Sequence, residues 1–271
     1  MTNLGLPERL PRISVVTPSY NQVRFIEQTI QSVLSQNYPG LEYFVIDGGS
    51  TDGTLDVLRR YSDCLIWVSE RDKGQANAIN KGLRMASGEI VAYLNADDMY
   101  EANALFQVGN YFANHTEAMW ITGQCHNIDE QGRIIRRGIS WYKNFWLRVG
   151  SYAILQVLNF IAQPATFWRR CLLEKLGYLD ESLNYTMDYE YWLRIGRVYP
   201  IHRLHSPLAR FRIHSTSKSG QTSYNQFDEE LLVARRYGKG IPILLHQMHR
   251  FLTVQVYSHY FRQGRLTKVW L

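Results

Sequence analysis

A chain of 271 residues that is 45% hydrophobic and 20% charged can bury a substantial core and is too apolar for a disordered segment. Its net charge of +6 suits an anionic partner, such as a nucleotide diphosphate or an acidic membrane surface. No nucleic-acid-binding motif accompanies that charge, so no nucleic-acid partner is expected. Cys64, Cys125 and Cys171 are too few and too scattered for a disulfide framework or a zinc knuckle, which points to a reducing cytoplasm. The opening MTNLGLPERL has no apolar signal-peptide core. The longest uncharged run, 149–168, is broken by Gln156, Asn159, Gln163 and Pro164 and does not read as a spanning helix.

The first hundred residues alternate two patterns. Ile13–Thr17 is a β-branched strand ending at Pro18, and Ile26, Ile30, Val33 and Leu34 then recur at helical spacing up to Tyr38-Pro39-Gly40. Tyr43–Ile46 predicts a second strand, followed by Asp47 and a glycine-rich loop, a short helix through Leu55 and Leu58, and a third strand at Leu65–Val68. Ala76, Ile79, Leu83 and Ala86 mark one helix face, and Ile90–Leu94 is the fourth strand, ending in Asn95-Ala96-Asp97-Asp98. Strands separated by helices of this length imply a parallel sheet covered on both faces, with ligands beyond the carboxyl ends of the strands. The polar segments TPSYN, DGGSTDG, SERDKG and NADD each follow a strand, so all four should gather at one sheet edge.

Beyond Tyr100 the rhythm changes. Trp120–Gly123 and Arg133–Arg136 flank a turn at 129–132 and read as a hairpin, while 141–162 is aromatic and mixed. Helices are expected around Leu172–Leu176 and Tyr189–Arg197, and a strand at Leu208–Ile213. From Ile241 onward apolar and aromatic residues interleave with His246, His249, Arg250, Arg262, Arg265 and Lys268, which fits a core helix or an interfacial one with basic anchors.

Two segments carry chemistry on their own pattern. Adjacent carboxylates at Asp97 and Asp98 repel unless a cation or hydrogen-bond donors compensate, and hard cations bind through one or two carboxylates plus substrate phosphates. The alternative is that they cap the helix that follows. Asp47 with Gly48-Gly49-Ser50-Thr51-Asp52-Gly53 can accept hydrogen bonds from a base or ribose while backbone approaches the ligand closely, or can be a tight turn. Neither a dinucleotide fingerprint nor a P-loop is present.

Together VVTPSYNQ (15–22), VIDGGSTDGT (45–54), SERDKGQANAINKGLRMASGE (69–89), YLNADD (93–98), QPATFWRR (163–170), LDESLNYTMDYEYWLR (179–194) and FRIHSTSKS (211–219) resemble glycosyltransferase family two, over roughly residues 12–219. The resemblance implies an α/β GT-A fold: a mostly parallel Rossmann-like central sheet flanked by helices. A nucleotide-binding half at 12–100 and a smaller acceptor half at 101–219 make up a domain spanning 1–219, and 220–271 form a C-terminal helical extension. It implies that Thr17, Pro18, Tyr20, Asn21, Asp47, Gly49, Asp72, Asn95 and Asp97 line the donor pocket. A Mg²⁺ or Mn²⁺ ion is expected to be held by Asp97 and Asp98, with His214 on the metal or diphosphate and Lys218 on phosphate. The catalytic base falls at Asp188, with Glu190 as the alternative, and Trp192 is either core or a sugar platform. Two positions depart from the family: Gly48 and Asn95 stand where an aspartate is usual. The expected activity is inverting, metal-dependent transfer of a sugar from a UDP-, GDP- or dTDP-sugar to a glycan or lipid-linked acceptor, in cell-surface polysaccharide or glycolipid synthesis. The place of action is the cytoplasm at the inner face of the membrane, with peripheral contact through 241–271. A nucleotidyltransferase and a catalytically inactive nucleotide-sugar-binding protein are the rival readings.

Overall fold

Strand β1 (Ile13–Ser19) sets the layers, because successive side chains along a strand point to opposite faces. Ile13 and Val15 enter one apolar cluster and Val16 enters another, so both faces of the sheet are covered. The protein is described by a computed structural model, which covers residues 9–215, 217 and 224–262. Strands β2 (Leu41–Asp47) and β4 (Ile90–Tyr93) flank β1 in parallel, and β3 (Ile66–Ser69) lies outside β2, also parallel. The crossovers are α1 (Ile26–Leu34), α2 (Thr54–Arg60) and α3 (Gln75–Met85). Helix α3 lies close on β1 because Gly82 has no side chain; a Cβ there would run into Val16.

The second half adds β5 (Met99–Tyr100), α4 (Ala104–Asn114), β6 (Trp120–Ile128), β7 (Ile134–Ile135), α5 (Arg137–Val149) and α6 (Tyr152–Leu155). A 3₁₀ turn at Gln163–Ala165 leads into β8 (Thr166–Arg169), α7 (Cys171–Leu176), α8 (Met187–Gly196) and β9 (His202–Arg212). The strand order is β3-β2-β1-β4-β8-β6-β9-β5, with β7 paired to β6. Beyond the four parallel strands the sheet is mixed: β8 runs antiparallel to β4 and β6, whereas β6 and β9 are parallel.

The hairpin expected near 129–132 is present, with Asn127 opposite Ile135 and Ile128 opposite Ile134. Its first strand is longer than the apolar signal, since Gln124, His126 and Asn127 continue the ladder with β9. The aromatic stretch 141–162 contains most of α5, whose periodicity is blurred because Trp141, Tyr142, Phe145 and Val149 are exposed while Leu147 is buried. Helices α9 (Tyr224–Tyr237) and α10 (Ile241–Arg262) end the described chain. Val233 and Ala234 of α9 join the core around α8, so this helix is part of the packed body. The expected boundary between residues 219 and 220, Lys218, and the chain beyond 262 lie outside the described residues. No helix among the described residues is long and apolar enough to cross a membrane.

Candidate active site

The parallel register brings the strand ends together: Ser19 pairs with Asp47, and Asp47 with Ser69. Asp47 is fully buried, and its carboxylate accepts hydrogen bonds from the backbone N–H groups of Gly49 (3.0 Å) and Ser50 (2.8 Å) and from the hydroxyls of Ser50 (2.5 Å) and Ser69 (2.7 Å). This aspartate shapes the loop from inside rather than offering its oxygens outward. Gly49 takes a left-handed φ of +85°, a conformation that favours glycine. Asn21 ties the first loop to the second: its N–H donates to the Ser50 hydroxyl (2.7 Å), and its Oδ1 accepts from the Thr51 N–H (2.9 Å). Thr17 is buried, with its hydroxyl 3.1 Å from that of Tyr43, and Pro18 is buried beside it.

The open part of this edge is the patch around Gly48. A Cβ on Gly48 would lie 2.6 Å from Asp72 Oδ2 and 3.4 Å from the ring of Tyr20, itself 62% exposed. The Asp72 carboxylate therefore occupies the space a side chain at position 48 would need. Its other oxygen accepts the Gly74 N–H at 2.8 Å.

At the end of β4, Asn95 is a junction. Its Oδ1 accepts from Gln75 Nε2 (2.8 Å), and its Nδ2 donates to Asp98 Oδ2 and Gln163 Oε1, both at 3.2 Å. Asp98 is fully buried and takes the Arg212 backbone N–H on Oδ1 at 2.8 Å. Burial first, and the neighbouring Asp97 charge second, push its carboxyl well above the usual carboxylate range. Asp98 thus faces the interior, against the expectation that it shares a cation with Asp97: both its oxygens are already engaged. Asp97 stays partly exposed, and its Oδ2 lies 2.9 Å from Nε2 of the buried His214.

Arg212, 1% exposed, locks this corner. Its guanidinium donates to the carbonyls of Asp97 (2.8 Å), Asp129 (3.2 Å) and Glu130 (2.9 Å) and to the Gln28 side chain (2.8 Å). It also lies 4.9 Å from the Phe25 ring centroid, and the His214 ring packs on that same phenylalanine at 4.6 Å.

Helix α8 supplies the acidic pair. Asp188 is partly exposed; its Oδ1 accepts the Tyr189 N–H at 2.7 Å, and Oδ2 makes no hydrogen bond among the described residues. Burial raises its pKa, with the Tyr189 N–H and the Lys143 charge acting in the opposite sense. Tyr93, which ends β4, is pushed far above the usual phenol range by burial and then by the charges of Asp188 and Asp98. Glu190 is committed elsewhere: it is buried, paired with Arg194 and bonded to the Tyr237 hydroxyl. Positions i and i+2 project from different sides of a helix, so Asp188 does not share the side on which Glu190 meets Arg194. Trp192 is fully buried against Trp120 and Trp168, which makes it core.

Two acids of α9 bear on α8 without a strong sequence signal. Glu229 accepts the backbone N–H groups of Asn184, Tyr185 and Thr186 at 2.7–2.8 Å and the Thr186 hydroxyl at 3.0 Å, pinning the turn into α8. Glu230 is pushed up to about 7, chiefly by burial, with the Asp188 charge adding to it and Lys143 and Arg250 opposing. Arg212 and Gln163 lie inside the quoted motifs, but only the folded contacts give them their roles.

The structure therefore joins Tyr20, Asn21, Asp47, Gly49 and Asp72 at one end of the edge, and Asn95, Asp97, Asp98 and His214 at the other, with Asp188 approaching from α8. Among the described residues no three His, Cys, Asp or Glu side chains cluster to hold a metal unaided.

This arrangement has counterparts in known proteins. Over 117 residues the chain is 40% identical to the putative teichuronic acid biosynthesis glycosyltransferase TuaG of Bacillus subtilis, covering 42% of this chain and 46% of that one. The fold matches that of S. aureus TarS 1–349 in complex with UDP-GlcNAc, with a TM-score of 0.66 and 20% identity, covering 82% of this chain and 65% of that one. It matches equally the mannosyltransferase PcManGT from Pyrobaculum calidifontis in complex with GDP-Man and Mn²⁺, at a TM-score of 0.66 and 24% identity, covering 90% of this chain and 70% of that one. The Glycosyl transferase family 2 profile spans residues 14–177, more than half of the chain. With the strand-end loops, the mixed sheet and that match in agreement, the chain belongs to glycosyl transferase family 2 and has the GT-A fold.

Proposed function

We propose that this glycosyltransferase moves a sugar from a UDP-, GDP- or dTDP-sugar to a hydroxyl of a glycan or lipid-linked acceptor, with inversion, in cell-surface polysaccharide or glycolipid synthesis at the cytoplasmic face of the membrane. The relatives support a nucleotide-sugar donor, since TarS is seen with UDP-GlcNAc and PcManGT with GDP-Man, and TuaG supports a cell-surface polysaccharide. In this reading residues 12–100 hold the donor, 101–219 shape the acceptor side, and 220–271 are a C-terminal helical extension.

One observation carries the chemistry: Asp188 presents an oxygen without a hydrogen bond among the described residues, while Glu190 is paired with Arg194. Asp188 takes the proton of the acceptor hydroxyl as that oxygen bonds to the anomeric carbon. The bond from that carbon to the diphosphate oxygen breaks, and its electron pair leaves with the nucleoside diphosphate. A carboxylate whose pKa is raised by burial is a stronger base for this step. In this reading the Tyr20–Gly48–Asp72 patch takes the base and ribose, supported by the exposure of Tyr20 and the absence of a side chain at Gly48, and Asn95 borders the diphosphate. The carboxylate of Asp97 and the imidazole of His214 fit a divalent ion, Mg²⁺ or Mn²⁺, whose remaining positions the diphosphate would have to complete. When bound, such an ion supplies positive charge to the departing diphosphate.

The test is calorimetric binding of the three donor classes alongside turnover. Asp188→Asn is expected to lower kcat by on the order of 10²–10⁴ with donor affinity intact, and to abolish the acidic limb of the pH profile. Donor binding without turnover in the wild type would support an inactive binding protein, and release of pyrophosphate a nucleotidyl transfer.

A further inference from the structure

A surface helix ordinarily keeps polar residues outward, and α10 does not. Its inner side is engaged, with His246 only 2% exposed and Ile243 packed against the core around α8. Its outer side carries Ile241, Leu244, Leu245, Met248, Phe251 and Leu252, all exposed and spaced so that they form one stripe. At a rise of about 1.5 Å per residue the stripe runs for about 17 Å. Beside it, α5 is joined to α10 through Tyr142, whose hydroxyl lies 3.2 Å from His249 Nε2 with the two rings stacked. Helix α5 adds its own outward stripe of Trp141 (71% exposed), Phe145 and Val149.

The charges on the two helices themselves have one sign, and the acid nearest to them, Asp228 of α9, is paired with Arg250. Neither α5 nor α10 contains an aspartate or glutamate, and Arg137, Arg148 and Lys239 are exposed around them. We propose that the α5–α10 surface docks onto an anionic phospholipid membrane, the apolar stripes entering the headgroup boundary and the basic side chains meeting lipid phosphates. A second copy of the chain fits less well, because a two-fold contact would set the same cations against each other with no acid on either helix to pair them. On its inner side α10 meets the helix that carries Asp188: the His246 ring stacks on that of Tyr189, the next residue, at 6.4 Å between centroids, and the Lys143 charge of α5 acts on Asp188. The docked face therefore adjoins Asp188 and would present a lipid-borne acceptor to it. That consequence rests on the transferase reading, whereas the docking does not.

The experiment is flotation of the full chain with phosphatidylcholine vesicles, with and without phosphatidylglycerol, alongside nucleotide-sugar binding and circular dichroism. Binding to the anionic vesicles is expected, weakened by salt and accompanied by a blue shift of Trp141 emission that Trp141→Phe removes. The triple variant Leu244→Asp, Met248→Asp, Phe251→Asp should lower vesicle affinity at least about tenfold with donor binding unchanged. Because these side chains are exposed, the variant should fold, and Trp141→Ser with Phe145→Ser tests the α5 stripe separately. Absence of binding to anionic vesicles at low salt, or equal binding by both variants, overturns the proposal. So does a concentration-dependent dimer that the same substitutions abolish, which would assign the surface to a second copy. Vesicle binding by a chain that binds no nucleotide-sugar would instead sink the transferase reading and leave the docking surface standing.

Discussion

Glu229 sits on α9, yet both of its oxygens serve the turn that begins α8, taking three backbone N–H groups and one hydroxyl. Asp188 lies two residues past the last of those donors, so this carboxylate sets where the proposed base stands. Hydrogen bonds to a charged group contribute about 1.5–3 kcal/mol each at most and do not add, and the site is partly exposed. Glu229→Ala should therefore cost about 3–5 kcal/mol of stability. Glu229→Gln keeps the shape, but its NH₂ meets a donor where an oxygen stood, and should cost about 2–3 kcal/mol. In kinetics, the Gln variant should lose on the order of 10–10² in kcat, the range expected for an ångström-scale misplacement. Its donor affinity should hold, since the Asp47 loop and the Tyr20–Asp72 patch sit on β1 to β3. Glu229→Asp, which keeps the charge, should recover part of kcat. Urea unfolding, a donor titration and initial rates on the three variants decide the matter. A Gln variant within about 0.5 kcal/mol of wild type and with unaltered kcat would refute the positioning argument. A parallel fall in donor affinity and kcat would show general loosening instead.

The metal and the second acid of α9 give two further tests. Asp97→Asn should weaken Mn²⁺ affinity, measured by calorimetry with nucleoside diphosphate present, on the order of 10–100-fold; full activity in chelator with donor bound would count against an ion there. Glu230 has a folded-state pKa of about 7 against its ordinary 4.5, so the native chain keeps a proton that the unfolded chain has released across that window. Its contribution to stability is thus complete below pH 4.5 and falls as pH rises to about 7. Glu230→Gln should then stabilise the protein by about 1–3 kcal/mol at pH 8 and hardly at all near pH 4. A gain of equal size at both pH values in urea titrations would contradict that sign.

The first hundred residues were legible because a strand or helix pattern ran through each element. Ile90–Leu94 is apolar without interruption and Ile13–Thr17 is β-branched apart from Ser14 and buried throughout, as strands covered on both faces are, and each is followed by a polar loop. The chain beyond Tyr100 was harder to read because local pattern and tertiary pairing disagree. The ladder from Gln124 to Ile128 runs beside 207–212, more than eighty residues away, and polar side chains there hide a strand. Helix α5 carries aromatic residues on an exposed side as well as a buried one, so a search for a single apolar stripe finds none. In the site, the pattern placed the carboxylates at the strand ends but not their orientation. Asp47 and Asp98 turn inward, Asp97 and Asp188 do not, and the difference lies in donors such as Ser69, Arg212 and Gln163 that are distant in sequence.

The two departures from the family pattern become coherent once those orientations are known. At position 48 an aspartate would need the space already taken by Asp72 Oδ2, 2.6 Å from where its Cβ would stand. At position 95 an aspartate would replace an amide that donates to both Asp98 and Gln163. Two carboxylates would then face each other about 3 Å apart in a buried corner, and one would have to stay protonated. Glycine and asparagine are thus the residues that let Asp72 and Asp98 occupy this edge. Carboxylates remain beside both positions, Asp72 next to Gly48 and Asp98 next to Asn95, which argues against reading Gly48 and Asn95 as marks of a decayed site. The same logic gives Arg212 its place: with Asp98 turned inward, the backbone N–H and the buried guanidinium of one residue hold the whole Asn95–Asp98 turn against β9 and α1, leaving Asp97 and His214 at its outer edge.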